Sequence, residues 1–186
     1  SLAILTEIAI AAISVIFYGF TIEALQTTTR FSGRLSLLVF SVIFLFHYKP
    51  ATRVNLLSDK FYSVFAVVHG VHLIELLSFV TLSGVKLIPY RLAGGFVAYA
   101  FIFAMPLLAN AARSGKIESI KFSRIDLAFH VYVWFIFFMT YLPRVLGKLP
   151  DAGGAPWEHQ LLMGWVLLLL VARVAGALKL NAARNV

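Results

Sequence analysis

The sequence has no cysteine among its 186 residues, and only 13% of its residues are charged. Without thiols the chain cannot form a disulfide, a thiolate-ligated iron–sulfur cluster, a cysteine zinc site or a thiol nucleophile. Histidine and carboxylate side chains are therefore the metal-ligating groups that remain. With so few charges, the chain also cannot cover the surface of a water-soluble domain, and its mean hydropathy of +0.90 indicates a lipid environment.

The motifs of several common enzyme classes are absent as well. No Walker loop, Gly-x-Gly-x-x-Gly, His-Glu-x-x-His or Gly-x-Ser-x-Gly pattern occurs, so nucleotide binding, zinc proteolysis and serine hydrolysis lose their usual support. The formal charge of +8 comes from basic residues that lie between apolar segments. That distribution is typical of membrane topology and not of nucleic-acid binding.

Six apolar stretches follow one another along the chain, and each is predicted to be a transmembrane helix. They cover residues 2–20, 34–48, 61–83, 92–111, 126–147 and 158–178. The polar linkers between them include residues 27–30, 49–53, 86–91, 113–124 and 150–154. The first stretch has neither a basic leading region nor a clear cleavage site, so it is predicted to remain as a span. The expected fold class is all-α: a polytopic membrane protein built as one six-helix transmembrane bundle over residues 1–186.

Lysine and arginine are unequally distributed between the two ends of the predicted bundle. One end collects Lys49, Arg53, Lys60, Arg113, Lys116, Lys121, Arg124, Lys179 and Arg184. The other end has fewer, namely Arg30, Arg34, Lys86, Arg91, Arg144 and Lys148. The positive-inside rule makes the first end cytoplasmic. The N- and C-termini are therefore predicted to be cytoplasmic.

Ionisable side chains inside a span are costly unless they are paired, hydrated or ligated. The predicted spans contain Glu7, His69, His72, Glu75 and His130, whereas His47 and His159 lie near span ends and are predicted to be interfacial. His69, His72 and Glu75 recur every third residue, which places them on one face of a helix. Counted from Lys60 and Lys121, the three central histidines lie within about one helical turn of each other in depth.

Two imidazoles at similar depth on parallel helices can ligate a haem iron from opposite faces, which gives a low-spin centre suited to electron transfer. His130 is one predicted ligand, and His72, or failing that His69, is the other. The alternative is that these histidines only form hydrogen bonds between helices. A zinc or di-iron carboxylate site has less support, because no Glu-x-x-His motif repeats on two helices.

Glu75 has three interpretations. A structural hydrogen bond, including one that orients an imidazole, is the first; a proton-handling carboxylate and a partner for a cation at a subunit interface are the others. Glu7 lies near the predicted cytoplasmic end of the first span, so a position at the rim of the bundle is sufficient to account for this carboxylate. A small transporter with a proton relay through Glu75 and the histidines is a further hypothesis, although inverted repeats are not evident.

Several short motifs resemble a known family. Residues 32–38 read Ser-Gly-Arg-Leu-Ser-Leu-Leu, residues 49–53 read Lys-Pro-Ala-Thr-Arg, and an apolar run over residues 61–72 ends in His72. Residues 88–95 contain Pro-Tyr-Arg-Leu-Ala-Gly-Gly, and residues 127–130 end in His130. Over about residues 30–140 this order is similar to the ferric-reductase-like transmembrane family, which includes the haem-binding membrane subunit of the bacterial methionine sulfoxide reductase system.

The resemblance implies b-type haem between spans three and five, with His72 and His130 at the ligand positions. It also implies electron transfer between a quinone or flavin and a protein partner in a larger membrane complex, with the bacterial inner membrane as the expected location. The family usually has another histidine further along span five, but residues 141–144 contain none, so one haem is expected. The alternative function is a non-catalytic accessory or assembly subunit that keeps the fold without redox activity.

Overall fold

The computed structural model of the chain describes residues 2–46, 55–84, 89–149 and 153–184. Within these ranges the chain forms six helices: α1 (Leu2–Tyr18), α2 (Ile22–Phe46), α3 (Asn55–Ser83), α4 (Pro89–Arg113), α5 (Ser119–Val145) and α6 (Pro156–Arg184). The described residues include no β-strand. The predicted all-α helical architecture is confirmed.

The five helices α2 to α6 are long and apolar enough to cross a membrane. α1 is also apolar, but its 17 residues make it the shortest of the helices. At 1.5 Å per residue it extends over about 26 Å, slightly less than the hydrocarbon thickness of a typical bilayer. The transmembrane character of the chain is therefore confirmed, with five helices of full spanning length and one shorter apolar helix.

The predicted start of the second span is wrong. α2 begins at Ile22, so residues 27–30, which the polar composition marks as a linker, are helical. The hydroxyls of Thr28 and Thr29 donate to backbone carbonyls four residues earlier, at 2.9 and 2.8 Å. Because these side chains bond back to their own helix, their polarity does not interrupt it.

The predicted linker over residues 113–124 is also too long. α4 ends at Arg113 and α5 begins at Ser119, so the second half of that segment is helical. Residues 49–53 lie outside the described residues together with His47, and so do residues 85–88 and 150–152.

The turn between α1 and α2 depends on the conformational freedom of glycine. Gly19 has a φ of +66°, a left-handed conformation that commonly ends helices, and its N–H donates to the carbonyl of Val15 at 2.8 Å. Thr21 then caps α2, since its Oγ1 accepts the N–H of Ala24 at 3.2 Å. α1 and α2 consequently pack together as a helical hairpin.

Consecutive helices are neighbours throughout the bundle, and α2 also contacts α6. α2 is therefore central, and its polar residues are more buried than the apolar outer faces of the other helices. Ser41 illustrates this, because it bonds back to the carbonyl of Leu37 at 2.7 Å and accepts the indole N–H of Trp165 of α6 at 2.9 Å. Large apolar side chains such as Leu168 and Val171 are exposed on the outside, where lipid is the natural solvent.

Candidate functional site

His69 and His72 lie side by side on one face of α3, as their spacing predicts, with ring centroids 5.4 Å apart. The Nδ1 atom of each is buried and has no hydrogen-bond partner among the described residues. His69 is surrounded by aromatic rings, with centroids 5.2 Å from Phe65, 4.9 Å from Tyr99 and 6.1 Å from Phe137. The imidazole of His69 therefore faces α4 and α5.

The imidazole of His72 lies against α2 instead. It contacts the backbone region of Thr29 and Gly33. A Cβ atom added to Gly33 would lie 3.0 Å from Cε1 of His72, so the absence of a side chain at this position is what permits the close approach. Of the two α3 histidines, His69 is the one directed toward α5.

We expect the Gly33→Ala variant to be less stable than the matched Gly95→Ala variant. An added Cβ at Gly95 meets no atom within 4 Å, so that variant gains roughly 1 kcal/mol from the higher helix propensity of alanine. At Gly33 the same gain is opposed by the displacement of His72, and overpacking typically costs about 1–3 kcal/mol. Thermal unfolding of both variants in one detergent checks this, and equal melting temperatures would contradict the Gly33–His72 contact.

His130 is fully buried in α5 and is oriented by Asp126. Its Nδ1 lies 2.7 Å from the backbone carbonyl of Asp126 and 3.2 Å from the carboxylate Oδ1. Tyr62 of α3 donates its hydroxyl to the same carboxylate. Because a carbonyl can only accept, Nδ1 carries the proton, and Nε2 bears the lone pair in the neutral imidazole.

Neither Asp126 nor Tyr62 is among the residues that sequence reasoning singled out. For Asp126 a signal was available, because it precedes His130 by one helical turn and shares its face. Tyr62 is identified only by a contact between two helices, which no spacing along the chain encodes. Together the two residues fix the imidazole of His130 from both sides of the α3–α5 interface.

His130 does not lie level with the α3 histidines. Its ring packs beside Tyr62, with centroids 6.2 Å apart, whereas Phe137, about two turns further along α5, is level with His69. His69 in turn lies about two turns, or roughly 10 Å, beyond Tyr62. The prediction of equal depth is wrong because it assumes that Lys60 and Lys121 are level. The packing of Tyr62 beside His130 instead places Lys121 about two helical turns from the level of Lys60.

The space between His69 and His130 is filled by phenylalanine. Phe40 of α2 lies 5.7 Å from Phe65, 5.4 Å from Phe137 and 6.4 Å from His130, measured between ring centroids. Phe40 and Phe65 are at most 1% exposed. The imidazoles are chemically suited to haem iron, but in this packing they do not face one another across a single metal, and a macrocycle would have to displace Phe40 and Phe137.

The two carboxylates predicted inside spans come together at a separate place, where α1, α2 and α3 meet. Glu7 is 4% exposed, and its Oε1 accepts the hydroxyl of Ser32 at 3.1 Å. Glu75 of α3 lies close enough to Ser32 and Glu7 to interact electrostatically with both. The prediction of a rim position for Glu7 is wrong, because α1 packs this side chain into the bundle.

The end of the bundle where α5 ends and α6 begins carries an ion pair between Arg34 of α2 and Glu158 of α6. Glu158 also accepts the N–H of Ala155 on Oε1 at 3.3 Å, which caps the start of α6. The adjacent His159 donates from Nε2 to the carbonyl of Gly153 at 3.1 Å. This contact ties His159 to the loop that precedes α6.

Within the ranges that the structure describes, no group of three or more His, Asp or Glu side chains is arranged to hold a metal ion. Comparison of the chain with models of known protein families, with curated proteins and with solved structures finds no match.

Proposed function

We propose that the chain is the haem-binding membrane subunit of an electron-transfer complex and carries one b-type haem beside α3 and α5. The proposed ligands are His130 and an α3 histidine, His69 or His72. The observation that carries the proposal is the full burial of His130 beside Tyr62 and Phe129, with its imidazole held through Nδ1. A hydrogen bond of that kind orients ligating histidines in metal proteins.

The bound haem would supply one-electron redox chemistry, and the protein would set its surroundings. Asp126 and Tyr62 hold the His130 imidazole with its proton on Nδ1. Nε2 is then the atom whose lone pair would ligate a metal. Between the two α3 candidates, the orientation of His69 toward α5 favours it over His72. Ligation of one haem by His130 and His69 would require Phe40 and Phe137 to turn away and α5 to shift along α3, because the two imidazoles lie about two helical turns apart in depth in this structure.

The partners and placement belong to the same proposal. A quinone or flavin would be the electron donor and a protein subunit the acceptor, in keeping with the resemblance of the short motifs. The excess of lysine and arginine at one end of the bundle supports cytoplasmic termini, and the resemblance of the short motifs is the ground for proposing the bacterial inner membrane. The exposed apolar surface of α6 supports contact with lipid or with another membrane subunit.

A second candidate function is favoured by the continuous aromatic packing between α3 and α5. Phe40, Phe65 and Phe137 fill the space that a macrocycle would need. A protein with such a core is suited to a non-catalytic accessory or assembly role, in which the bundle serves as a structural element of a larger complex.

A visible absorption spectrum of the purified protein separates the two functions. Haem binding is expected to give a sharp Soret band with α and β bands on reduction, and these bands are expected to disappear in His130→Ala. His159→Ala is the matched control, because that histidine bonds to the loop before α6, and it should keep the spectrum. A folded but colourless protein from haem-supplemented cells would favour the accessory role and contradict the haem proposal.

A further inference from the structure

A groove of about 600 Å³ lies on the outside of the bundle between α1, α2 and α6. Ile10, Leu38 and Leu161 line it from these three helices, and apart from Arg34 its lining is apolar. Leu38 and Leu161 are 56% and 64% exposed, so the groove opens outward, to the side where lipid is the natural solvent. A ligand can therefore enter it directly from the bilayer.

Trp165 contributes an apolar surface to this groove. Its indole Nε1 donates to the hydroxyl of Ser41 at 2.9 Å, so its one donor is turned into the bundle and the ring faces are left for a ligand. Trp165 follows Glu158 by seven residues on α6, a rise of about 10 Å. That length lies within one leaflet of a bilayer whose hydrocarbon core is about 30 Å thick.

The end of the groove near the start of α6 carries two guanidinium groups. The Cζ atoms of Arg34 and Arg30 lie 4.7 and 5.8 Å from the centre of the Phe31 ring, which itself lines the groove. Arg34 is paired with Glu158. Oε2 of Glu158 and Cζ of Arg30 both lie within 3.4 Å of the position that a Cβ of Gly154 would take. One carboxylate is therefore close to two guanidinium groups, and a positive charge is left over.

Arg30 supplies that excess charge. In the part of the chain that the structure describes, Arg30 forms no ion pair, and its buried Nε has no hydrogen-bond partner. Arg34 also retains donors, because a guanidinium has five N–H groups and the pairing with Glu158 does not use all of them. Phosphate oxygens match the planar fork of an arginine. Charge and donor geometry at this end therefore favour a phosphate anion over a neutral headgroup.

A second groove, of about 570 Å³, lies beside the first along α6 and shares Leu161 and Trp165 with it. Its lining is apolar except for Gln160 and includes Gly164. A Cβ added to Gly164 would meet no atom within 4 Å, so the missing side chain helps to keep this groove open. Two adjoining apolar grooves beside one cationic end match a lipid with two acyl chains and one anionic headgroup.

We propose that the two grooves bind an anionic phospholipid, with its phosphate at Arg30 and Arg34 and its acyl chains on either side of Leu161. The bound lipid fills the space between α1 and α6 on the outer face of α2. The site lies apart from the buried histidines of α3 and α5 and requires no haem.

Native mass spectrometry of the full chain, purified in a neutral detergent, tests this proposal by titration with phosphatidylglycerol or phosphatidylcholine. We expect one phosphatidylglycerol to bind several-fold more tightly than phosphatidylcholine, because only the former has a net negative charge. Arg30→Gln should weaken phosphatidylglycerol binding several-fold. Lys148→Gln is the matched control, since it removes an exposed positive charge just beyond α5, and it should leave the binding unchanged. Equal binding of the two lipids, or equal weakening in the two variants, would overturn the proposal.

Gly164→Leu tests the placement of the second acyl chain. The added side chain extends into the second groove, so phosphatidylglycerol should bind several-fold more weakly, whereas lyso-phosphatidylglycerol, which has one chain, should bind as before. Undiminished phosphatidylglycerol binding in this variant would overturn the two-chain placement.

Two further probes distinguish the lipid from other occupants of the grooves. Inorganic phosphate alone should not bind to the protein in the same detergent, and a short-chain quinone should not displace phosphatidylglycerol. Binding of the first would assign the site to a free anion, and displacement by the second would assign it to a quinone. Either result would overturn the lipid proposal, and neither depends on the absorption spectrum that tests haem binding.

Discussion

The Phe40→Ala variant is expected to lose about 3–5 kcal/mol of the free energy of unfolding, the usual cost of truncating a buried phenylalanine. Phe40 is 0% exposed, and its ring contacts aromatic rings from α2, α3 and α5. Its partners are Phe44, Phe65, Phe129, His130 and Phe137. In lipid, helix association depends on such packing because there is no water to drive it. Chemical or thermal denaturation in a fixed detergent measures the loss.

Phe46→Ala is the matched control for Phe40→Ala. Phe46 belongs to the same helix but is 42% exposed, so its truncation should cost far less. Equal losses in the two variants would contradict the burial of Phe40 among rings from three helices. The Phe40→Ala variant also bears on the proposed haem. If Phe40 must move aside for a macrocycle, removal of its ring should increase the fraction of protein that binds added haem.

The Asp126→Ala variant is expected to be destabilised by about 3 kcal/mol, as for other losses of a buried charged hydrogen-bonding group. The carboxylate is 1% exposed, accepts the hydroxyl of Tyr62 and lies 3.2 Å from Nδ1 of His130. Its removal takes away a link between α3 and α5 as well as a support for the imidazole. Denaturation in the same detergent as for Phe40→Ala makes the two losses comparable.

Tyr62→Phe is the control that isolates the hydroxyl from the ring. It keeps the edge-on contact with Phe129 at 5.6 Å and removes the hydrogen bond to Asp126, so we expect a loss of roughly 1 kcal/mol. If Tyr62→Phe were as destabilised as Asp126→Ala, the stabilising effect would come from the Tyr62–Asp126 hydrogen bond alone, with no contribution from the contact between Asp126 and His130. If neither variant lost stability, the buried Tyr62–Asp126–His130 arrangement would have no structural role.

Hydropathy and spacing along the chain predict the helical membrane architecture well. The apolar stretches correspond to helices, and the three-residue spacing of His69 and His72 puts them on one face. The start of α2 could not be located from polarity, because Thr28 and Thr29 satisfy their hydroxyls within the helix. A local polar composition therefore predicts a linker where the backbone remains helical.

Contacts between helices could not be predicted from the sequence for a different reason. The level of His130 relative to His69 depends on how far α5 is shifted along α3, and that shift is set by packing around Phe40 and Phe129. The meeting of Glu7 with Ser32 likewise depends on the docking of α1 against α2. Spacing within one helix specifies a face, whereas the depth of a partner on another helix requires the assembled bundle.

The hydroxyls of α2 have a consequence for the biogenesis of the protein. Thr28, Thr29 and Ser41 bond to their own backbone, so the newly made helix can partition into the bilayer with these groups already satisfied. Ser32 has its acceptor on α1 and depends on a neighbour that arrives by lateral association. Insertion of α2 into the bilayer is therefore separable from its packing against the other helices. The docking of α1 is the step at which the Ser32 hydroxyl, unfavourable in lipid without a partner, gains a specific hydrogen bond.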